Sequence, residues 1–479
     1  MAFMAARGRA LHKEILQTLG ARSAPRLAVP PRVALSIIEL PTGRVLAMGG
    51  WPRMALGSRW QRDPRTDEWL PPAAWLEREA PTALKLRYQG DRNFDTIEMG
   101  SATKPIWAAA VLGVHPQINS QLRVRGVTAE EREVYGIPLQ GKPWQVHASG
   151  DWVDFSRYLT ESDNRYQVRL GFAGLAEAEG TRVARAGPSI SAAESMAGSV
   201  PVAWKRYPRF PALIGFSEDT PNRIENLHLT PLAERMRTMF GASVKTGDRR
   251  AFHSSFWSGL ETDEWPAPGT GLLGPEPPEF KDLRPLSPPA TLLGLDLFGV
   301  PRPGQPTLSP RNFVDLLLGG GENRWANVEF AAAFAAAVTG RPLVAHITRA
   351  EAKAAVGTAR VEFPAVAAML RPGLAGVVGG PRGTATGRFT SEGALAFIKS
   401  LPGVRAYAKT GTLVVDQATG RETSRLVLVL VRWKDEKKGL VRSGLVLSMV
   451  AERATQGTAT TWLAKFLMEN REWVRQRLQ

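Results

Sequence analysis

The sequence predicts an α+β fold. β-rich hairpins stand near both ends of the chain, at 32–49 and 405–433, and helical segments occupy 323–339 and 363–378 between them. A chain of 479 residues, 43% hydrophobic and 22% charged, buries a sizeable core. That composition excludes disordered, collagen-like and coiled-coil readings.

Element by element, Leu11 to Leu19 has apolar residues at helical spacing and ends at Gly20, which predicts one short amphipathic helix. Arg32–Leu40 and Gly43–Gly49 are β-rich runs joined by Pro41-Thr42-Gly43 and read as a hairpin. Trp51 to Phe94 carries Trp, Arg and Pro without periodicity and reads as an irregular excursion. A helix opens at Ser101, because Pro105 is tolerated only in a first turn. Short helices at 152–159 and 165–175 flank Ser162-Asp163-Asn164, which has turn chemistry. From about 176 to 310 clustered Pro and Gly predict an insertion or subdomain. After the two later helices come strands at 405–415 and 424–433 with a turn at Thr419-Gly420, a strand at 444–451, and a terminal amphipathic helix over 458–477.

Cysteine is absent, so disulfide scaffolds, thiol nucleophiles and Cys-based zinc sites are excluded. The six histidines fall into no metal-ligand spacing and read as structural, so no metal is expected. No run of 18 apolar residues is present, and the Arg- and Lys-interleaved N-terminus has no signal-peptide core. The net charge of +16 favours an anionic neighbour such as nucleic acid, phospholipid or cell-wall polymer, without choosing among them.

Three short patterns carry chemistry. Ser101-Ala102-Thr103-Lys104 is the only serine followed three residues later by lysine. On a helix those two share a face, so the Lys104 amine can reach the Ser101 hydroxyl and take its proton if burial lowers its pKa. The bland alternative is a solvated helix start. Ser162-Asp163-Asn164 is the only SxN, offering a second hydroxyl to relay a proton and an amide that both donates and accepts; alone it is equally an Asx turn. Lys409-Thr410-Gly411-Thr412 lies in a β-rich run, where Gly411 leaves room for a ligand near the backbone and the cation and hydroxyls suit a carboxylate. Lys245-Thr246-Gly247 spells the same tripeptide but sits in no strand pattern and is assigned to a loop.

The ordered set resembles the penicillin-binding protein transpeptidase family, serine acyl transferases that cross-link peptidoglycan and are acylated by β-lactams. The hairpin around Pro41–Met48 looks like the family's first two strands, Gly100–Pro105 like its nucleophile turn, Gly319–Gly340 like a helix preceding the catalytic strand, and Gly373–Thr386 like the glycine-rich lead into that strand. The resemblance implies a penicillin-binding/β-lactamase-like transpeptidase fold, an antiparallel sheet packed with helices plus an all-helical subregion. It implies a lead at 1–31 and a transpeptidase domain at 32–479 that carries the insertion. By the same resemblance Ser101 is the acylated nucleophile, Lys104 its base, Ser162 the proton shuttle and Asn164 a ligand of the substrate amide. Lys409, Thr410 and Thr412 hold the donor's terminal carboxylate beside Gly411, and the N–H groups of Thr412 and Ser101 form the oxyanion hole.

The implied reaction is attack on the penultimate D-Ala carbonyl of a stem peptide, release of D-Ala and transfer of the acyl group to an amine; water in place of the amine gives D,D-carboxypeptidase activity. No cofactor is implied. The implied partners are peptidoglycan stem peptides, β-lactams and other cell-wall synthesis proteins, with no nucleic acid. The place of work is the periplasm or outer face of the membrane, inferred from substrate alone. Family members that work on the wall usually carry an N-terminal anchor and a further domain, which this sequence does not display. A serine β-lactamase is the nearest rival, but no ExxLN stretch follows Ser162. A catalytically silent sensor or scaffold is the rival from another class.

Overall fold

The computed structural model describes residues 2–19, 31–51, 93, 96–114, 116, 152–164, 166–167, 170–171, 317–319, 324–343, 345–346, 362–416 and 421–479, with short paired strands at 61–62, 69–70, 124–125, 133–134 and 137–138. The insertion at 176–310 and the second KTG at 245–247 lie outside the described residues, as does most of 51–94.

Helix α1 spans Ala2–Leu19 and so begins nine residues before the predicted Leu11. Met4 explains the extension: with Leu11 and Ile15 it forms one buried stripe, seven and four residues apart, and the intervening arginines are good helix formers. The first hairpin is β1 (Val33–Leu40) and β2 (Val45–Trp51), antiparallel as expected. Then come β3 (Thr96–Glu98), α2 (Lys104–Val114) and α3 (Phe155–Glu161). The predicted helix at 323–339 opens as a short strand, β4 (Arg324–Ala326), paired antiparallel with β3, before α4 (Asn327–Thr339).

Helix α5 (Pro364–Gly379) matches expectation, but two short helices, α6 (Thr386–Ser391) and α7 (Ala394–Lys399), follow it. The glycine-rich segment therefore does not run straight into the next strand. Strands β5 (Val404–Asp416), β6 (Arg421–Asp435) and β7 (Leu440–Ala454) are each longer than read. The terminal helix is two, α8 (Thr458–Glu469) and α9 (Arg471–Leu478). The break falls at Asn470, whose backbone leaves the helical region at φ −115° and ψ 24° and whose side-chain amide donates to Phe466 O at 2.8 Å.

The central sheet is antiparallel in the order β5-β6-β7-β1-β2, so chain ends meet through β1 and β7, and β5 is an edge. One face buries Leu426, Leu428 and Leu430 of β6 and Leu445, Leu447 and Met449 of β7 against α1, α8 and α9. The alternate residues Val427, Val429 and Val431 are buried too, on the face where α4 crosses. Coverage on both faces is why the run SRLVLVLVRW shows no polar alternation. Every residue of α4 is buried, and its alanines let it lie close to the sheet. Asn327 fixes its start by donating to Ser448 O at 3.0 Å and Asn93 Oδ1 at 2.8 Å, while Ser448 donates back to Asn327 Oδ1 at 2.7 Å. Among the described residues, no helix is long and apolar enough to cross a membrane.

Candidate active site

Ser101 sits in a tight 3₁₀ turn, Gly100–Thr103, and Lys104 is the first residue of α2. The predicted helix start is one turn too simple: side chains three apart eclipse in a 3₁₀ turn, so Ser101 and Lys104 lie to one side, and the Lys104 amine is hydrogen-bonded to Ser162 and Asn164. Pro105 falls in the first turn of α2, where its missing N–H costs nothing. Around Ser101 the segment is buried from Ala102 through Leu112, while Ser101 itself is only partly covered. A hydroxyl at the rim of an apolar helix results.

The turn is clamped from two sides. Gly100, at φ +53°, donates its N–H to Gly319 O at 2.8 Å, and a Cβ on Gly100 would lie 2.8 Å from Thr412 O. From the strand side, a Cβ on Gly411 would lie 2.5 Å from Met99 O and 3.1 Å from the Ala102 nitrogen. This corrects the expectation that Gly411 makes room for a ligand on its side-chain side: that space is filled by the turn that carries Ser101. Glycine at 411 brings the β5 edge against Ser101 rather than opening it.

Lys104 is fully buried, and its three hydrogen bonds all go to the tripeptide: Ser162 O at 2.6 Å, Asn164 Oδ1 at 2.6 Å and Ser162 Oγ at 3.3 Å. Local structure explains how the tripeptide reaches it. Asp154 caps α3 by accepting from Arg157 N at 2.8 Å, and Ser162 ends the helix in the left-handed conformation, φ 62°. That turn exposes the Ser162 carbonyl and hydroxyl to the lysine. Asp163 then starts the next helical turn by accepting from Tyr166 N at 2.7 Å, so Asn164 already belongs to a helix rather than to a loop.

Burial pushes the Lys104 amine down to about 7, and the Asp163 carboxylate works the other way. Lys409 is also fully buried and held well below its ordinary value, first by burial and then by the charge of Lys104. Its Nζ donates to Thr410 O at 3.2 Å. Thr410 is half-buried, with its hydroxyl 2.7 Å from that of Thr384, and Thr412 is exposed on the edge strand. All eight residues singled out in the sequence are therefore described, and six of them fall into two groups. Lys104, Ser162 and Asn164 are in direct hydrogen-bond contact, and the turn that carries Ser101 packs against Gly411 and Thr412 through Met99, Gly100 and Ala102.

Three further residues were not singled out. Asp163 stood inside the tripeptide, and an acid beside a lysine that must be buried was the available signal. The Tyr158 hydroxyl, with one proton to donate, lies 3.2 Å from Lys104 O and also against Gln167 Oε1, and burial pushes its phenol well above 10. Thr384 is 26 positions from Thr410 and carries no sequence signal at all.

No family model and no curated protein matches the chain. Among solved structures, it is similar to the apo transpeptidase domain of Burkholderia pseudomallei penicillin-binding protein 3, at 14% identity and TM-score 0.39, covering 98% of this chain and 96% of that one. It is similar to Streptococcus pneumoniae penicillin-binding protein 2B, at 14% identity and TM-score 0.45, covering 98% of this chain and 58% of that one. A third is the D,D-transpeptidase domain of an Eggerthella lenta peptidoglycan glycosyltransferase, at 13% identity and TM-score 0.41, covering 97% and 81%. At these TM-scores the likenesses carry no argument about chemistry, which rests on the geometry above.

Proposed function

We propose that the chain is a serine acyl transferase of the penicillin-binding type, a D,D-transpeptidase acting on D-Ala-D-Ala stem peptides. The observation that carries this reading is the buried Lys104 amine held between Ser162 and Asn164, one turn from a partly exposed serine. An amine near 7 is neutral in about half of the molecules at neutral pH. A neutral amine has two protons for its two 2.6 Å contacts and one lone pair with which to act as a base, and the Ser162 hydroxyl lies 3.3 Å away.

In the proposed reaction Ser101 Oγ bonds to the donor carbonyl carbon and its proton passes to Lys104. The tetrahedral intermediate collapses as the C–N bond breaks, and Ser162 hands the proton on to the leaving amine. The resulting ester is cleaved when an acceptor amine forms the new amide and Ser101 regains its proton. With a β-lactam the broken C–N bond lies in the ring, so the leaving nitrogen stays tethered. The backbone N–H groups of Ser101 and Thr412 supply the oxyanion donors. Such a substrate places the site on the outer side of the cell membrane, beside other proteins of wall synthesis.

Intact-protein mass spectrometry after incubation with benzylpenicillin tests the reading. One adduct of the full penicillin mass per chain is expected, and a folded chain that gains no mass refutes it.

The pH dependence has a defined sign. Acylation should rise with pH through an apparent midpoint about 7, as Lys104 loses its proton. The Asp163 carboxylate favours the protonated amine, so Asp163→Asn should move that midpoint downward while its remaining oxygen keeps the cap on Tyr166 N. Second-order acylation rates measured from pH 5 to 9 give both midpoints, about four pH units being needed to see both limbs. An unmoved midpoint in the variant would remove Asp163 from the account.

A further inference from the structure

Thr384 lies outside all three motifs, yet its hydroxyl is 2.7 Å from the Thr410 hydroxyl. Its backbone is fixed on both sides. Gly383 N donates to Gly380 O at 3.0 Å, Ala385 N to Val377 O at 3.0 Å, and Thr386 Oγ1 to Gly380 O at 2.7 Å, which folds 380–386 onto the C-terminus of α5. Gly383 has no room for a side chain, since a Cβ there would lie 2.2 Å from Gly376 O. The same turn is tied to the helix that carries Ser162: Thr384 N reaches Thr160 O at 3.4 Å, and Arg382 lies 3.7 Å from Glu161, which also pairs with Arg157 at 2.9 Å. Thr384 thus stands on a rigid platform between α3 and the β5 edge.

Each threonine hydroxyl has one proton and two lone pairs, so a hydroxyl pair uses one proton and leaves the other free. If Thr384 donates, the Thr410 proton is released to point elsewhere, and accepting a hydrogen bond strengthens it as a donor. The best acceptor for such a donor is an anion. Lys409, the neighbouring lysine, is buried and directs its amine to Thr410 O, so the exposed polar groups of this edge are hydroxyls.

We propose that Thr384 is a positioning residue that sets the Thr410 hydroxyl as a donor to the carboxylate of the acyl donor. Preference for an anionic substrate then depends on a residue of the α5–α6 turn. The inference rests on the acyl-transfer reading above. A purely structural Thr384 would tether the turn to the strand and serve every acyl donor alike.

The two roles separate when benzylpenicillin is compared with its methyl ester, which lacks the negative charge, by measuring second-order acylation rates for each. Thr384→Val keeps the shape and removes the proton and the acceptor. Its acid-over-ester rate ratio should fall about tenfold relative to the unmodified chain, the scale of one hydrogen bond to a charged group. Thr384→Ser restores the hydroxyl and should restore the ratio. An unchanged ratio in Thr384→Val, even with both rates lowered together, overturns the proposal in favour of a structural tether. Should Thr384→Val not fold, as judged by its thermal unfolding, Thr384→Ala carries the same comparison. An unmodified chain labelled by neither compound refutes the acyl-transfer reading itself, and this inference falls with it. An unmodified chain labelled by both with a ratio insensitive to Thr384 overturns this inference alone.

Discussion

Replacing Ser101 by alanine is expected to abolish the penicillin adduct while leaving the chain folded. The hydroxyl is the only atom lost, and it stands at a partly exposed rim rather than in the core, so the stability change should stay within about 0.5 kcal/mol. The chemistry is all-or-none, because no other group can form the ester bond at that position. Intact mass spectrometry of the variant should show the unmodified mass at every penicillin concentration, with a thermal unfolding midpoint near that of the unmodified chain. A full adduct on the variant would move the nucleophile elsewhere. Loss of both adduct and folding would make Ser101 a structural residue instead.

Gly411→Ala should have the next largest effect, and it tests how the site is assembled rather than which atom reacts. The added methyl would lie 2.5 Å from Met99 O and 3.1 Å from Ala102, against backbone that cannot swing aside. Relief requires the β5 edge and the Ser101 turn to separate by several tenths of an ångström or more. Misplacement approaching 1 Å costs about 100-fold in a reaction that depends on alignment, so acylation should fall by about that factor. The overpacking should also destabilise the fold by about 1–3 kcal/mol. Acylation kinetics and thermal unfolding measure the two effects. A variant that acylates at the unmodified rate would show that Gly411 is open to ligand after all, as its place in the strand alone suggests.

Much of the scaffold was legible because its signals are local. The hairpin at 33–51, the buried helix at 327–339 and the strands from 404 to 454 each announce themselves by turn residues, small apolar runs or continuous β-branched stretches. The misread boundaries have different causes. Met4 extends α1 because the core offers it a place, a tertiary effect, whereas the last helix divides locally, where the Asn470 backbone leaves the helical region at φ −115° and ψ 24°. Helices α6 and α7, six residues each, are too short for periodicity to show and persist by packing Phe389 and Phe397 into the core.

By itself the sequence determined which groups are available: one serine with a lysine three residues on, one SxN and a KTG in a strand. Covalent spacing carries that information, because a 3₁₀ or α turn places Ser101 and Lys104 on one side whatever surrounds them. Only the tertiary structure decided what state and company those groups keep. The Lys104 amine falls to about 7 because burial strips water from it, while Asp163 limits the fall, and residues 58 and 60 positions away accept its hydrogen bonds. Gly411 serves the serine's turn rather than a ligand, and Thr410 acquires Thr384 as its partner, because desolvation and hydrogen bonding act through space.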